Sequence, residues 1–233
     1  MGIDPTESPP TEEGLEEIRR AKGLDRILNL SDGIFAFAIT LLALDLVTPV
    51  ILGQASDATM FAALASEFHS FLGFLVSFWV ISMLWLSHNR IFRYIRYSDP
   101  GLFVLDLLML FFVVMVPFAT RVLNYGLLPV ALDVYALIQI GALLTTSVIW
   151  RYALRPDRHL LGGEVSQKVS DWLANRGFLA AAIFTLSIFL AFISPYLSVA
   201  AWLSALPILV ILDRRSLSEK ADSHRKVPPE VKK

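Results

Sequence analysis

The amino-acid sequence predicts an all-α integral membrane protein with six transmembrane helices in each subunit. Hydrophobic residues make up 55% of the 233-residue chain, and the mean hydropathy is +0.61. The apolar residues also lie in long runs that short charged segments separate. A bilayer core of about 30 Å needs roughly 20 apolar residues in a helix, and these runs are long enough. Neither a soluble globular domain nor a disordered chain has this composition.

Six runs are candidate spans, in chain order 27–48, 62–88, 101–124, 128–150, 175–194 and 196–212. Pro117 lies inside the third run and predicts a kink there. Pro195 and Pro207 punctuate the sixth, which is the shortest and is expected to be kinked or tilted. The chain therefore divides into an N-terminal tail (1–25), a six-helix membrane domain (26–212) and a C-terminal tail (213–233). Residues 13–25 are expected to form a short helix leading into the first span.

Positive charge lies almost entirely on one side of these spans. Of the 20 lysines and arginines, 19 fall before span one, between spans two and three, between spans four and five, or after span six, and Arg121 is the exception. The positive-inside rule therefore places both termini in the cytoplasm. Asp45 and Asp57 lie on the opposite side and predict an acidic outer mouth that concentrates cations. The alternative is that these carboxylates are simply solvated at helix ends.

Several classes of function are disfavoured by the sequence. The formal net charge is −1 and no basic excess suggests a nucleic-acid partner. The chain has no cysteine, so it has neither a thiol nucleophile nor a cysteine metal site. Nucleotide-binding and metal-binding motifs of the usual spacing are also absent from it. We therefore expect no catalytic residues, no bound metal and no cofactor.

The first span is amphipathic in an unusual way. At 100° per residue, one face carries a mainly apolar stripe composed of Leu30, Phe37, Leu41, Leu44 and Thr48. Gly33, Ile34 and Thr40 flank this stripe, whereas Ser31 and Asp32 point away from it. Because the stripe and the carboxylate face different surroundings, the first helix is expected to have two distinct environments.

A carboxylate within a span needs a partner, because inserting a charge into the membrane costs at least about 2.5–3.5 kcal/mol. His88 and Asn89, near the end of the second span, are expected at a similar depth to Asp32, and Arg26 precedes it on the same helix. We expect Arg26, Ser31, Asp32, His88 and Asn89 to form a buried structural network that fixes the first helix to the second. A proton relay is the alternative. Asp106 in the third span is a further polar group that needs a partner.

These residues resemble a known family. The segment RILNLSDG (26–33), followed by AFAITLL (36–42) and by a second span that bears a serine, a histidine and an asparagine, is similar to the bacterial branch of the transmembrane protein 175 potassium channels. Arg26, Ser31 and Asp32 match the family's RxxxFSD signature, and His88 matches its histidine partner. Leu30 replaces the family's phenylalanine, which affects local packing only.

The resemblance implies a homotetramer in which the first helix of each subunit lines a central, potassium-permeable pore. It also implies an apolar constriction at Phe37, Leu41 and Leu44, and a hydroxyl layer at Thr40, to which Thr48 is added as a further pore hydroxyl. Family relatives usually carry Ile or Leu where this chain has Phe37, so a tighter neck is expected.

The sequence contains no TVGYG segment, so a filter of backbone carbonyls of that kind is not available. We therefore expect a modest preference for potassium over sodium, with gating by dewetting of the apolar neck. The alternative function is a proton-coupled secondary transporter that uses Asp32 and His88, although the internal repeats typical of transporters are not evident. An intramembrane enzyme built on Ser31 and His88 is a third alternative. The expected location is the plasma membrane of a prokaryote.

Overall fold

The computed structural model describes residues 11–46 and 56–204. Within these ranges the protein is helical, apart from loops and one isolated bridge between Ile95 and Leu161. Five helices are long and apolar enough to cross a membrane. The predicted all-α membrane fold is therefore confirmed.

The first helix, α1 (Glu12–Leu44), is 33 residues long and continuous. Thr11 caps its start, because the threonine side chain accepts a hydrogen bond from the backbone N–H of Gly14 at 3.3 Å. The predicted boundary between the tail 1–25 and the membrane domain falls inside this helix. The expected lead-in helix and first span are therefore one element, since no proline interrupts residues 12–44.

The predicted second span, 62–88, corresponds to two helices, α2 (Asp57–Ser66) and α3 (Phe68–Phe92). They are separated at Glu67, which ends one helix and starts the other. A reciprocal pair of hydrogen bonds between Ser56 and Thr59 fixes the start of α2. Only α3 has the length of a membrane span.

The next helices are α4 (Pro100–Leu123), α5 (Pro129–Ala153) and α6 (Gln167–Ile193), with a short 3-10 turn at Pro156–Arg158. The bounds of α4 and α5 are within three residues of the predicted third and fourth spans. In contrast, α6 begins eight residues before the predicted fifth span, so residues 167–174 belong to the helix and not to the preceding loop. Residues 195–204 are helical again, and we call them α7. Positions 205–212 of the predicted sixth span lie outside the described residues.

The core lies where α4, α5 and α6 pack in sequence, with α1 and α3 covering α4. Met109 and Val113 of α4 and Tyr135 and Ala142 of α5 are completely buried. Gly177 of α6 allows the close approach to α5, because a Cβ atom at this position would lie 2.9 Å from the Leu143 carbonyl oxygen. The α5–α6 contact therefore depends on glycine.

Three basic segments meet at one end of the bundle, and we call this arrangement the basic clasp. The Arg96 N–H donates to the Leu160 carbonyl at 2.8 Å, which joins the α3–α4 loop to the α5–α6 loop. Ser98 Oγ donates to the Arg20 carbonyl at 2.9 Å, and Arg20 donates to the Arg158 carbonyl at 3.0 Å. The early part of α1 is therefore tied to both loops.

Candidate pore-lining helix and the polar network behind it

One face of α1 is buried against the rest of the subunit. Its residues recur every three or four positions and are each no more than 2% exposed: Ile27, Ser31, Phe35, Ala38 and Leu42. This spacing is that of a single stripe along an α-helix. The buried face packs on α3 and α4 and fixes how α1 is rotated in the subunit.

The other face of α1 is uncovered in the subunit. Its residues follow the same period: Arg26, Leu30, Gly33, Phe37, Thr40 and Leu44. Phe37 is 60% exposed and Leu44 is 76% exposed. The predicted stripe therefore lies mostly on this face, but Leu41 is half-buried at its edge. Thr48 lies outside the described residues.

Thr40 supplies the one hydroxyl of this uncovered face between Gly33 and Leu44. Its Oγ1 donates to the Phe37 carbonyl oxygen at 2.8 Å. Because the proton is used in that bond, the oxygen keeps its lone pairs as acceptors. The uncovered face thus presents an acceptor oxygen between two bulky apolar side chains, Phe37 and Leu44.

A buried polar network lies behind α1, and its centre is Asp106 of α4. Ser31 Oγ lies 2.8 Å from Asp106 Oδ2 and 2.8 Å from the Ile27 carbonyl oxygen, and it can donate to either. His88 Nε2 lies 2.8 Å from Asp106 Oδ1. All three side chains of this Ser31–Asp106–His88 network are at most 1% exposed. It therefore joins α1, α3 and α4 at one buried point.

Aromatic rings enclose the histidine of this network. The ring of His88 lies 4.2 Å from that of Phe92 and 5.8 Å from that of Phe35, measured between centroids. Since Phe35 belongs to the buried face of α1, the histidine contacts α1 by packing as well as through Asp106. The network is thus held inside an apolar shell, which strengthens its hydrogen bonds.

The prediction that Asp32 is the buried carboxylate is wrong. Asp32 is exposed in the subunit, and its Oδ1 accepts a hydrogen bond from Trp85 Nε1 at 2.8 Å. Arg26 is also exposed, and Asn89 is half-buried outside the hydrogen bonds of the Asp106 network. Of the five predicted members, the structure therefore brings together Ser31 and His88. The physical reason is rotation: Ser31 and Asp32 are about 100° apart on the helix, so only one of them faces the core.

Sequence reasoning did not identify Asp106 as the partner of Ser31 and His88. The available signal was that Asp106 is the only acidic residue in the 24-residue helix α4. Trp85 as the partner of Asp32 had a weaker signal, because an indole near a span end is usually an interfacial anchor.

The Ser31–Asp106–His88 network determines what the uncovered face presents. Thr40 follows Ser31 by nine residues, which places it about 180° around the helix. When Ser31 bonds Asp106, Thr40 therefore points directly away from the subunit core. The buried hydrogen bond and the exposed hydroxyl therefore lie on opposite sides of α1, about 13.5 Å apart along its axis.

At the end of the bundle opposite the basic clasp, Asp45 forms an ion pair with Arg121 of α4. The Asp45 side chain is 10% exposed. Asp57 is exposed in the first turn of α2. The predicted acidic mouth therefore carries less negative charge, because Arg121 neutralises Asp45. Within 11–46 and 56–204, the structure groups no three acidic or histidine side chains that could hold a metal ion.

The chain is similar to known potassium channels. The family model described as the endosomal/lysosomal potassium channel TMEM175 matches residues 26–117, which include α1 from Arg26 onward, α3 and most of α4. A potassium channel of Streptomyces collinus is 33% identical over 181 residues, covering 76% of this chain and 86% of the relative. A potassium channel of Chamaesiphon minutus is 34% identical over 178 residues, covering 75% of this chain and 87% of the relative.

A solved structure is also similar. The crystal structure of a lysosomal potassium-selective channel TMEM175 homologue from Chamaesiphon minutus matches with a TM-score of 0.67 and 30% identity. The match covers 84% of this chain and 98% of that one. These relatives are named as channels, which agrees with the prediction that the protein is not an enzyme. From the RxxxLSD segment of α1, the fold and these similarities, the chain belongs to the TMEM175 family.

Proposed function

We propose that four copies of this chain form a potassium channel, with the uncovered face of α1 from each copy lining a central pore. The observation that carries the proposal is that α1 is fixed on one side by the Ser31–Asp106–His88 network and is bare on the other. The uncovered face of a single helix does not enclose an ion pathway. Symmetric copies of the chain are therefore needed to surround a pore.

The composition of this bare face differs from that of a lipid-facing surface. On α4, the exposed side chains include Phe103, Leu107, Phe111 and Phe118, which suit contact with lipid. The bare face of α1 instead mixes Phe37 and Leu44 with Gly33 and the hydroxyl of Thr40. The free lone pairs of the Thr40 oxygen find no hydrogen-bond donor among acyl chains. In a pore they can replace part of an ion's hydration shell.

The proposed neck consists of apolar rings from Phe37 and Leu44, with Leu41 at the edge of the pore and Thr40 between the rings. Phe37 and Leu44 are seven residues apart, or about 10.5 Å along the helix axis. An apolar neck of this kind gates by dewetting. Selectivity then arises from the cost of removing water and from the Thr40 hydroxyls, so potassium is preferred modestly over sodium. Thr48 remains a prediction for a further pore hydroxyl.

We further propose that the channel lies in the plasma membrane of a prokaryote with both termini in the cytoplasm. The basic clasp supports this orientation, because it gathers the early part of α1 and two basic loops at one end. Positively charged segments of this kind are retained on the cytoplasmic side.

Comparison of ion fluxes in proteoliposomes tests the proposal. Potassium and sodium fluxes are measured for the wild type, for Phe37→Ala and for Phe118→Ala. Phe118 is a matched control, because it is 54% exposed on α4 and lies outside the proposed pore. Potassium flux should exceed sodium flux, and Phe37→Ala should raise basal flux while Phe118→Ala should not.

Two results would contradict the proposal. Equal effects of the two substitutions would place the pathway away from α1. Solute uptake driven by a proton gradient, without ion conductance, would favour the secondary transporter. The transporter alternative was based on a pairing of Asp32 with His88, and His88 instead contacts Asp106.

A further inference from the structure

A partly open cavity of ≈ 60 Å³ lies between α3, α5, α6 and α7. No residue of α1 lines it, so it is separate from the proposed pore. Most of its wall is apolar and includes Leu84, Leu143, Ala180, Phe184 and Trp202. An internal space of this kind is suited to the apolar part of a ligand.

One polar side chain in this wall has unmet hydrogen-bonding capacity. Gln139 of α5 is 0% exposed, and neither its Nε2 nor its Oε1 forms a hydrogen bond of good geometry with a described residue, although the Tyr135 hydroxyl lies near the amide. Buried amides are almost always hydrogen-bonded, since an unpaired donor or acceptor is destabilising. Whatever fills the cavity should therefore offer Gln139 both an acceptor and a donor.

The other polar groups of the wall already have partners. Thr146 Oγ1 donates to the Ala142 carbonyl oxygen at 2.8 Å. Ser87 Oγ accepts from Arg176 Nη1 at 2.9 Å. Gln139 is consequently the main recognition group for an occupant of the cavity.

Water alone suits this space poorly. A volume of ≈ 60 Å³ has room for about four water molecules, and each needs two to four polar partners. The wall provides one unengaged amide and is otherwise largely apolar. An occupant with one polar head at Gln139 and an apolar body that extends toward the open side matches the chemistry of the wall.

The head is expected to be uncharged. Gln139 is ten residues from the start and fourteen from the end of α5, so it lies near the middle of the span. A charged head is disfavoured at this depth, and the guanidinium in the wall, that of Arg176, already donates to Ser87. A carboxamide is best complemented by a group that carries a donor and an acceptor side by side, such as another amide or a protonated carboxylic acid.

We propose that this cavity binds a single-chain amphiphile whose head is an amide or a protonated carboxylic acid, with the head hydrogen-bonded to Gln139 and the chain against Phe184 and Trp202. The ligand thus bridges α5 to α6 and α7. It reaches the site from the membrane, where such molecules partition, and binding is independent of the uncovered face of α1.

Fluorescence quenching by brominated probes tests this site. The probes are 6-bromohexanamide, 6-bromohexanoic acid and 1-bromohexane, added to the purified full-length protein in detergent micelles. Saturable quenching by the amide should occur in the wild type and disappear in Trp202→Phe. The amide should bind about tenfold more tightly than bromohexane, as expected for a hydrogen-bonded head.

Substitutions in the cavity wall distinguish recognition of the ligand's head from accommodation of its chain. Gln139→Leu should remove the preference for the amide and retain weak binding of bromohexane. Ala180→Phe should fill the cavity and abolish saturable quenching by every probe. Leu186→Phe is the matched control, because Leu186 is 54% exposed on α6 and lies outside the cavity wall.

The acid probe distinguishes the two forms of the head. Binding of 6-bromohexanoic acid should weaken as the pH rises and its carboxyl group ionises, whereas binding of the amide should not change. Binding that strengthens with pH would overturn the uncharged head and indicate a carboxylate held at Arg176. The absence of any Trp202-dependent saturable quenching would overturn the proposal and leave a cavity that contains water only.

Discussion

The two faces of α1 have the same helical period and opposite surroundings. Phe35 is 1% exposed and Phe37, two residues later, is 60% exposed. Ser31 lies within hydrogen-bonding distance of Asp106 in a buried network as well as of its own helix backbone, whereas Thr40 donates to its own backbone and keeps its oxygen outward. Like residue types therefore serve packing on one face and, in the proposed channel, permeation on the other.

This difference shows that the position of a side chain around the helix, and not its chemical type, decides its role in α1. A phenylalanine or a hydroxyl can act in either way. Paired substitutions on the two faces consequently separate effects on stability from effects on ion flux.

The largest expected effect comes from removing the centre of the buried network. Asp106→Ala leaves Ser31 and His88 buried without their shared partner, and should lower the free energy of unfolding by about 3–5 kcal/mol. Thermal unfolding and size-exclusion chromatography in detergent measure this loss. Asp106→Asn is the matched control and should lose less, because an amide still offers one acceptor. Wild-type stability of Asp106→Ala would show that the network does not fix α1.

A comparison of the two phenylalanines should give the next largest effect. Phe35→Ala opens a cavity in the core and should cost about 3–5 kcal/mol of subunit stability. Phe37→Ala should change subunit stability by no more than about 0.5 kcal/mol, since the side chain is exposed. Unfolding and potassium flux are measured for both variants. Comparable destabilisation by both would contradict the assignment of two distinct faces.

The two hydroxyls should differ in a similar way, by a smaller amount. Ser31→Ala leaves a buried acceptor on Asp106 unmet and should cost about 1–3 kcal/mol. Thr40→Ala should leave stability unchanged and reduce the potassium-to-sodium flux ratio by up to about fivefold, the equivalent of about 1 kcal/mol. Flux ratios in proteoliposomes provide the measurement. A Thr40→Ala ratio equal to that of the wild type would remove this hydroxyl from the selectivity mechanism.

The smallest effect is expected where α1 touches α3 at the edge between the two faces. Trp85→Phe removes the hydrogen bond to Asp32, and both side chains are exposed in the subunit. The loss of stability should be below about 1 kcal/mol, because water can replace the indole N–H. Thermal unfolding of the variant checks this value. A loss as large as that of Asp106→Ala would make Asp32 as important structurally as the buried network.

The fold was predictable because membrane spans follow from the length of apolar runs. The predicted third and fourth spans agree closely with α4 and α5, since Pro100 and Pro129 mark helix starts in the sequence. The start of α6 was missed because residues 167–174 are less apolar than the run that follows, and Arg176 inside that run is 7% exposed and bonded to Ser87. A buried arginine in a helix depends on tertiary partners that one sequence does not reveal.

The site was predictable only in part, for a related reason. Helical spacing placed Ser31 opposite the apolar stripe, and the structure agrees. The spacing could not decide whether Ser31 or Asp32 faced the core, nor whether His88 would contact Asp32 or Asp106. The first choice depends on the rotation of α1 and the second on the depth at which α4 lies beside α1, and sequence alone fixes neither.

The length of α1 has a mechanical consequence. A helix of 33 residues is about 50 Å long, which exceeds the thickness of the hydrocarbon core by roughly 20 Å. Arg20, in the basic clasp, and Phe37 therefore belong to one rigid rod. Ser31 lies between these two residues and is held by the buried network, so a binding event at the clasped end must break that network before it can turn Phe37.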